Sequence, residues 1–338
     1  MNRRRLLTSA ALSAAALALT FGTTHSQQAG KVYRVGVLVN QGAMVNGKPN
    51  TQFEALRIGM TQLGYVEGTN IAYEPRFPEG QLDRLPGFAA ELVAKNVDVI
   101  VAFGGPPTNA ARKATTTIPI VVALVADPVA IGVAITLERP GGNITGVSNH
   151  DVELAGRHMA LLKEQFPKLA RVAILSDPNI PGADASGLVP IERANVAAAR
   201  AAGLTPQMLK VSGPKPDLEG AFKAMASEGA EALVVLEVPS VFNIARTVAE
   251  MGTSHRMPTM LWGGQGAAGG LISYGTSFTS TYARVPVYVD RILKGAKPAD
   301  MAIEVVSKRE LVINLETARI LGVTVPAELL KRADRVVE

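Results

Sequence analysis

Few residues in this chain have the types and spacing that catalysis or metal binding requires. The 338 residues include no cysteine, which excludes thiolate nucleophiles, disulfides and zinc–thiolate sites. The four histidines, His25, His150, His158 and His255, do not combine with acidic residues in a recognised catalytic or metal-binding spacing. We therefore predict a protein that is not an enzyme and that contains no metal and no cofactor.

Two glycine-containing segments are similar to functional motifs but lack the context that those motifs need. Residues 264–269 (GQGAAG) match the pattern G-x-G-x-x-G, which binds a dinucleotide where it follows a strand and opens a helix. Here the segment leads into an apparent strand, so a Rossmann-like enzyme is the weaker alternative. Residues 146–150 (GVSNH) lack the second glycine of a nucleophile elbow, and we interpret them as part of a hinge.

The polar residues with a clearer meaning lie at the predicted carboxyl ends of buried strands, where open parallel α/β sheets bind ligands. They are Asn40, Gln41, Gly105, Pro106, Thr108 and Asp127 in the first half of the chain, and Asp177, Asn179, Glu237, Ser240 and Gln265 in the second half. We call these residues the rim residues. Two such rims facing each other would form a cleft for a small-molecule ligand.

The residue types at the rims suit a ligand that carries both charges. Thr108 and Ser240 fit the N-cap positions of the helices that follow them, and free N–H groups at a helix N-terminus attract a carboxylate. Asp127, Asp177 and Glu237 could accept an ammonium or hydroxyl group. The alternatives are structural: the hydroxyl residues could serve only as caps, and the two aspartates, which each precede a proline, could serve only in turns.

Three aromatic residues, Phe103, Phe242 and Trp262, flank the same rims and could cover an apolar or aromatic part of a ligand. The two phenylalanines could equally belong to the core, where phenylalanine is commonly buried. Donors and acceptors around an apolar slot together indicate a small amphiphilic acid, such as an amino acid or an aromatic acid.

The elements that would hold these residues alternate between strand and helix. Short runs rich in valine, isoleucine and leucine alternate with segments in which apolar residues have helical spacing. We predict strands at residues 33–39, 71–73, 97–103, 118–125 and 143–147, and helices at 53–63, 83–95 and 108–115. This alternation predicts an α/β fold with a doubly wound parallel sheet.

The second half of the chain repeats this order after about 130–140 residues, a distance far longer than a solenoid repeat. The predicted strands are 171–175, 206–211, 230–236, 258–262 and 271–274, and the helices are 189–202, 218–228 and 241–251. We therefore predict two doubly wound parallel-sheet lobes joined by a hinge. Val147, Ser148 and Gly275 lie where the chain would cross between the lobes and are the hinge candidates.

We place lobe 1 at residues 30–147 and lobe 2 at residues 148–276, each completed by part of residues 277–338. This tail contains predicted strands at 303–306 and 311–314 and a predicted helix at 315–321. Its pattern does not assign these elements to either lobe.

The first 29 residues have the order of a secretory signal peptide. Arg3, Arg4 and Arg5 precede an apolar run, residues 6–21, that is shorter than the roughly 20 residues of a membrane span. We predict export to the periplasm with cleavage of this leader, and the lack of cysteine excludes a lipoprotein anchor. Without the three arginines the net charge falls from +5 to 5 − 3 = +2, and no basic cluster remains that would favour binding of nucleic acid.

The chain also resembles a known family along its whole mature length. The shared segments are 63–68 (LGYVEG), 83–86 (DRLP), 118–121 (IPIV), 126–129 (ADPV), 139–148 (RPGGNITGVS), 273–275 (SYG), 288–300 (YVDRILKGAKPAD) and 310–315 (ELVINL). By these segments the sequence is similar to the ABC-transporter substrate-binding protein family of the type I periplasmic-binding fold, which includes tryptophan- and tyrosine-binding members.

The resemblance implies two lobes that close over a ligand and hand it to an ABC permease in the membrane. It implies ligand contacts at the rim residues other than Ser240, and it adds Asn149. We expect a monomer whose ligand is an amino acid or a small aromatic acid, and a periplasmic sensor for a signalling partner is the alternative. Segments 45–48 and 263–268 depart from the family pattern, so the resemblance does not identify the solute.

Overall fold

The structure, a computed structural model, describes residues 31–45, 47–125, 127–149, 153–180, 182–213, 215–238, 241 and 244–338. The predicted signal peptide, the rim residue Ser240 and the aromatic residue Phe242 lie outside the described residues. Residues 33–338 form one unit that contains two large sheets and a short hairpin.

The first sheet consists of parallel strands that come mainly from the first half of the chain. In side-by-side order they are β13 (Glu304–Val305), β7 (Ile144–Ser148), β6 (Ile120–Val125), β5 (Val99–Phe103), β1 (Tyr33–Leu38) and β4 (Ile71–Arg76). The hairpin of β2 (Met44–Val45) and β3 (Lys48–Pro49) follows β1 in the chain. β5 and β6 are buried along their whole length, as expected for apolar strands covered by helices on both faces.

Among the described residues, four helices cover the first sheet. They are α1 (Thr51–Gln62), α2 (Leu85–Ala94), α3 (Gly105–Ala114) and α8 (Phe278–Leu293). α2 and α3 pack together on one face, around a core that includes Leu92, Ile100 and Ile120. α1 and α8 pack together on the other face, where Leu56 and Val289 are buried.

The second sheet comes from the second half of the chain. In side-by-side order its strands are β15 (Arg335–Val337), β14 (Arg309–Asn314), β12 (Ile272–Thr276), β11 (Thr259–Trp262), β10 (Ala232–Val235), β8 (Arg171–Ser176) and β9 (Thr205–Lys210). The accompanying helices in the described part of the chain are α4 (Leu154–Gln165), α5 (Pro190–Ala201), α6 (Leu218–Ser227), α7 (Ala245–Ser254), α9 (Leu315–Leu321) and α10 (Ala327–Arg332).

The two sheets share one strand order. The order β4-β1-β5-β6-β7 in the first corresponds to β9-β8-β10-β11-β12 in the second. This correspondence confirms the predicted α/β fold with two doubly wound sheets. Neighbouring strands of the two sheets are parallel except for β12 and β14, which are antiparallel. The sequence did not predict this exception, because apolar periodicity indicates the burial of a strand and not its direction.

The chain passes between the two sheets at three places. It does so after β7, between β12 and α8, and between β13 and β14. These segments are hydrogen bonded to one another: Val306 N donates to Ser148 O at 3.1 Å, and Ser277 N donates to Lys308 O at 3.0 Å. The tail that the sequence left unassigned therefore divides, with β13 in the first sheet and β14 and β15 in the second.

The predicted hinge residues lie beside the first two of these passages. Val147 and Ser148 are the last residues of β7, and Gly275 is the penultimate residue of β12. The third passage, at residues 306–308, was not predicted from the sequence. The hinge role and the lobe boundaries remain predictions.

Two long helices that follow the first two passages, α4 and α8, were not predicted from the sequence. α8 contains Pro286, and proline inside a helix normally bends or ends it. Pro286 packs against Gly59 of α1, where an added Cβ atom would lie 2.3 Å from Pro286 Cγ. The α1–α8 contact therefore depends on the lack of a side chain at Gly59.

We expect Gly59→Ala to lower the free energy of unfolding by about 1–3 kcal/mol, because the added methyl group overpacks the α1–α8 contact. The matched control is Gly87→Ala in α2, where an added Cβ would meet no atom within 4 Å. Alanine there should raise the free energy of unfolding by up to about 1 kcal/mol through its higher helix propensity. Urea unfolding measures both changes, and a stabilised Gly59→Ala variant would contradict the close contact.

Candidate functional site

A cavity of about 390 Å³ lies between the carboxyl ends of the two sheets, and we call it the central cavity. Residues that follow β5, β6 and β7 line it on one side, and residues that follow β8 and β10 line it on the other. Six of the predicted ligand residues line it: Gly105, Pro106, Asp127, Asn149, Asn179 and Glu237. The structure thus brings these six residues, which are far apart in the chain, to one cavity.

Most of the central cavity is apolar. The apolar side chains come from both sheets and are Leu124, Val125, Ile131, Val133, Ile180, Ile191 and Val238. Polar groups lie among them at separate places, with Glu237 and Asp127 supplying carboxyl groups and Arg112 and Lys113 supplying positive charge. The cavity therefore suits a ligand with an apolar body and two charged or polar ends.

The positive charges of the central cavity belong to α3. Arg112 is held in place, since its Nε donates to Asn109 Oδ1 at 3.0 Å and its Nη1 donates to Gly132 O at 3.2 Å. Lys113 is exposed at the same helix end. Both cationic side chains line the central cavity and favour a carboxylate on this side of the ligand.

The central cavity continues into a smaller one of about 210 Å³, which we call the inner cavity. The two cavities share the lining residues Asp127, Asn149, Ile191 and Glu237. The inner cavity also has Trp262 in its wall, at the end of β11. Of the aromatic residues that the sequence predicted beside the site, Trp262 lines the inner cavity. Phe103 does not, since it is 1% exposed and packs edge-on against Tyr282 in the core.

Two polar residues of the inner cavity were not predicted from the sequence. Asn195 of α5 is 4% exposed, and its Nδ2 donates to Ile191 O at 2.9 Å. Its Oδ1 has no hydrogen-bond partner among the described residues, which leaves it available to a donor on a ligand. His158 of α4 is buried with its Nε2 at 2.8 Å from Tyr274 O. In the sequence, Asn195 could have been recognised as an asparagine within the alanine-rich helix α5.

Glu237 follows β10 and lines both cavities. Asn149 Nδ2 donates to Glu237 Oε2 at 2.9 Å, which connects the residue after β7 to the residue after β10. Burial raises the pKa of the Glu237 carboxyl to about 8, and the hydrogen bond from Asn149 opposes that rise. At pH 7 the carboxyl of the empty cavity is therefore mostly protonated, and a ligand ammonium group would favour its ionised form.

The two aspartates before prolines both stabilise turns. Asp127 Oδ1 accepts a hydrogen bond from Ala130 N at 2.9 Å, and Asp177 Oδ1 accepts one from Asn179 N at 2.8 Å. The turn interpretation therefore describes both residues. Asp127 also lines both cavities, whereas Asp177 is 2% exposed and lines neither of them.

The prediction that Thr108 is the N-cap of its helix is wrong. The N-cap of α3 is Gly104, with φ of +94°, and Thr108 lies inside the helix with no exposed surface. A Cβ atom on Gly104 would lie 2.5 Å from Asn40 Nδ2, so glycine is required at this turn. Asn40 and Thr108 accordingly lie beside the β5–α3 turn and not in the lining of the central cavity.

The rim residues Gln41 and Gln265 line a third cavity of about 350 Å³, which we call the side cavity. It lies beside α1 and α8, with Gln52 and Tyr282 in its wall. Residues 266–268 form a 3-10 turn before β12, so the glycine-rich segment opens no α-helix for a nucleotide. Rim residues thus line two separate cavities, the central one and the side cavity, whereas Asn40, Thr108 and Asp177 line neither.

Two further findings concern the described part of the chain only. No group of three or more histidine, aspartate or glutamate side chains there is arranged to hold a metal ion. None of its helices combines the length and the apolar content that crossing a membrane requires.

The chain matches a family profile over most of its length. The family described as "ABC transporter substrate binding protein" matches residues 44–337. A curated relative, the tyrosine-binding protein of Clostridioides difficile (strain R20291), is 32% identical over 112 residues, which is 33% of this chain and 32% of the relative. That match spans about a third of the relative's own length.

Two solved structures are similar along nearly the whole chain. One is the ABC domain from Streptococcus pneumonia in complex with L-Trp, with 25% sequence identity and a TM-score of 0.80 over 91% of this chain and 100% of that chain. The other is a conserved domain protein from Vibrio cholerae O1 biovar eltor, with 25% identity and a TM-score of 0.80 over 90% of this chain and 100% of that chain.

Proposed function

Because the chain belongs to the ABC transporter substrate-binding protein family, we propose that it binds an amphiphilic amino acid in the central and inner cavities and delivers it to the permease of an importer. Members of this family are solute-binding proteins and not enzymes, so the prediction of a protein without catalytic function is confirmed.

The observation that carries the ligand class is the division of charge in the central cavity. Arg112 and Lys113 lie on α3 and Glu237 follows β10, and apolar side chains from both lobes belong to the same lining. In this arrangement a ligand carboxylate pairs with the two cations, and a ligand ammonium group pairs with Glu237 after its ionisation. The apolar side chain of the ligand then lies along Ile191 and extends towards Trp262 in the inner cavity.

The relatives support this ligand class without extending to its details. One solved structure holds L-Trp and one curated relative is named for tyrosine. Both ligands are amino acids with an aromatic side chain, for which the inner cavity offers the Trp262 indole and the amide oxygen of Asn195. We therefore propose an aromatic or large aliphatic L-amino acid.

Ligand binding would close the two lobes, because the cations and Glu237 lie on opposite sides of the central cavity. A ligand shifts such an equilibrium only by its differential affinity for the two states, and only the closed state offers both sets of contacts. The permease would then recognise the closed state.

Family members are generally extracytoplasmic, and we propose the periplasm for this protein. The proposal rests on residues 1–29, which have the order of a signal peptide. The sequence contains no cysteine for a lipid anchor, and we propose that the cleaved protein acts in the periplasm as a monomer. Cell fractionation and N-terminal sequencing of the mature protein test this location.

Thermal unfolding with a ligand panel tests the ligand class. The protein, refolded to remove bound solute, is measured with L-tryptophan, L-tyrosine, L-leucine, L-serine, benzoate and D-mannitol. We expect a higher Tm with at least one of the three large amino acids, since a ligand at 100 times its Kd stabilises by about 2.7 kcal/mol. A response to D-mannitol alone would contradict the proposed ligand class, and no response to any of the six would contradict the proposed function.

The fluorescence of Trp262, the single tryptophan of the sequence, should change when the amino acid binds. The indole is 1% exposed and lies in the wall of the inner cavity, so a ligand there alters its surroundings directly. The control is L-serine at the same concentration, which is too small to fill both cavities. An unchanged emission spectrum at saturating ligand would place the ligand outside the inner cavity.

A further inference from the structure

β6 contains one more residue than its partner strand over the same length. Val122 pairs with Gly146 and Val125 pairs with Ser148, so three steps along β6 match two steps along β7. This irregularity is a β-bulge. Leu124, the residue within it, has φ of +56°, a left-handed conformation that is unfavourable for leucine.

Leu124 differs from the other residues of this conformation. Among the described residues, the other non-glycine residues with positive φ are Glu79, Asn96 and Arg256. All three are polar residues in turns, where such a conformation is common. Leu124 is instead an apolar residue inside a strand of the first sheet.

The neighbouring strands hold the bulge in place on both sides. Gly104 N donates to Ala123 O at 2.7 Å from the end of β5. Ser148 Oγ donates to Val125 O at 2.7 Å from the end of β7, in a buried hydrogen bond. Unfavourable backbone conformations persist where the surroundings fix them in this way, and they occur most often at functional sites.

The bulge changes the side of the sheet on which Leu124 lies. Val122 and Val125 pack in the core under α2 and α3, whereas Ala123 and Leu124 belong to the other core. In a regular strand, side chains alternate, and residue 124 would lie on the same side as Val122. Because of the bulge, Leu124 instead lines the central cavity, with Ile180 and Ile191 of the second lobe among the other lining residues.

We propose that Leu124 is a specificity-determining residue, which the bulge places in the central cavity so that the protein selects ligands with a large apolar side chain. This inference rests on the proposed function. Leu124 adds apolar surface to the central cavity, whose lining also includes Ile191, the residue along which the ligand side chain is proposed to lie. Ligands that present hydroxyl groups there would lose hydrogen bonds to water without replacement.

Substitutions at Leu124 separate the selectivity from the fold. Asparagine tolerates the left-handed conformation and has a similar size, so Leu124→Asn should change the Tm by only a few degrees. The Kd for the preferred member of L-tryptophan, L-tyrosine and L-leucine should rise about tenfold or more, and the Kd for L-serine should change less than threefold. Leu124→Met, the matched apolar control, should keep the order of affinities of the unchanged protein.

Two outcomes of the binding measurement would overturn the inference while leaving the proposed function intact. One is an equal loss of affinity for every ligand in Leu124→Asn, and the other is no loss for any of them. A response of the unchanged protein to D-mannitol alone would overturn both this inference and the proposed ligand class. No binding of any panel member would overturn the proposed function and this inference with it.

A second measurement tests the strained backbone without any ligand. Leu124→Gly should have a Tm at or above that of Leu124→Ala, because glycine adopts positive φ freely and alanine does not. In a regular strand the order is reversed, since glycine lowers stability there. A lower Tm for Leu124→Gly would therefore show a regular strand at this position and overturn the inference.

Discussion

At pH 8, Glu237→Gln should weaken the binding of the preferred amino acid about 10- to 100-fold, whereas at pH 6 the loss should be about twofold or less. The size of this loss of affinity follows from the free energy of a hydrogen bond to a charged group, which is about 1.5–3 kcal/mol. A tenfold change in Kd corresponds to about 1.4 kcal/mol. The difference between the two pH values follows from the pKa of about 8 that burial gives the Glu237 carboxyl in the empty cavity.

The sign of the pH dependence can be derived from that pKa. Below about pH 8 the empty cavity holds a protonated Glu237, and an ammonium ligand must displace its proton. The affinity of the unchanged protein should therefore rise with pH between 6 and 8, by at most about tenfold per pH unit, and level off above 8. Calorimetry in two buffers of different ionisation enthalpy measures the released proton directly.

The control variant is Glu250→Gln, at an exposed position of α7 outside the three cavities. Its affinity and pH dependence should match those of the unchanged protein. The other titratable groups near Glu237 are Asp127 and His158 in the inner cavity and Tyr282, whose own pKa is raised by burial and by the charge of Glu237. If the pH dependence of affinity remained in Glu237→Gln, Glu237 would not be the group that releases the proton.

The same pKa predicts a pH dependence of stability in the empty protein. Because the folded pKa is raised from 4.5 to about 8, the folded state holds a proton that the unfolded state has lost. The contribution of this proton to the free energy of unfolding is fully present below pH 4.5 and is lost as the pH rises to 8. Glu237→Gln should lack this part of the decline in thermal unfolding measurements.

The sequence predicted best those elements whose burial leaves a simple pattern. β5 and β6 are apolar throughout because helices cover both faces, and their bounds were predicted to within two residues. α8 was missed because it contains Pro286, a residue that normally bends or ends a helix. The antiparallel direction of β14 was not predicted, because it depends on how β14 pairs with β12 in the tertiary structure.

The candidate site was predictable to the extent that it follows strand ends. The rule that ligands bind beyond the carboxyl ends of parallel strands indicated Asp127 and Glu237, and both line the central cavity. It did not indicate Asn195 or His158, because these lie on helices whose inward faces are known only from the packing of the second lobe. The bulge at Leu124 was equally hidden, since residues 118–125 have the composition of a regular strand.

Gly146→Ala should lower the free energy of unfolding by about 3–5 kcal/mol, the range in which strain and overpacking have their largest effects. Gly146 lies in β7 opposite the bulge, with φ of +142°. An added Cβ atom would lie 2.1 Å from Val122 O and 2.6 Å from Val122 N. These are backbone atoms of the adjacent strand, so the sheet itself must separate to admit a methyl group.

The comparison with Gly142→Ala isolates the steric part of this loss. Gly142 also has positive φ, at +62°, but an added Cβ there would meet no atom within 4 Å, so the backbone preference alone should cost about 1–2 kcal/mol. Urea unfolding of both variants gives the difference. If the two losses were equal, β6 and β7 would not approach closely at Gly146. The close contact of β6 and β7 at Gly146 also holds Leu124 in the bulge. A folded Gly146→Ala protein should therefore bind the amino acid more weakly, whereas Gly142→Ala should not.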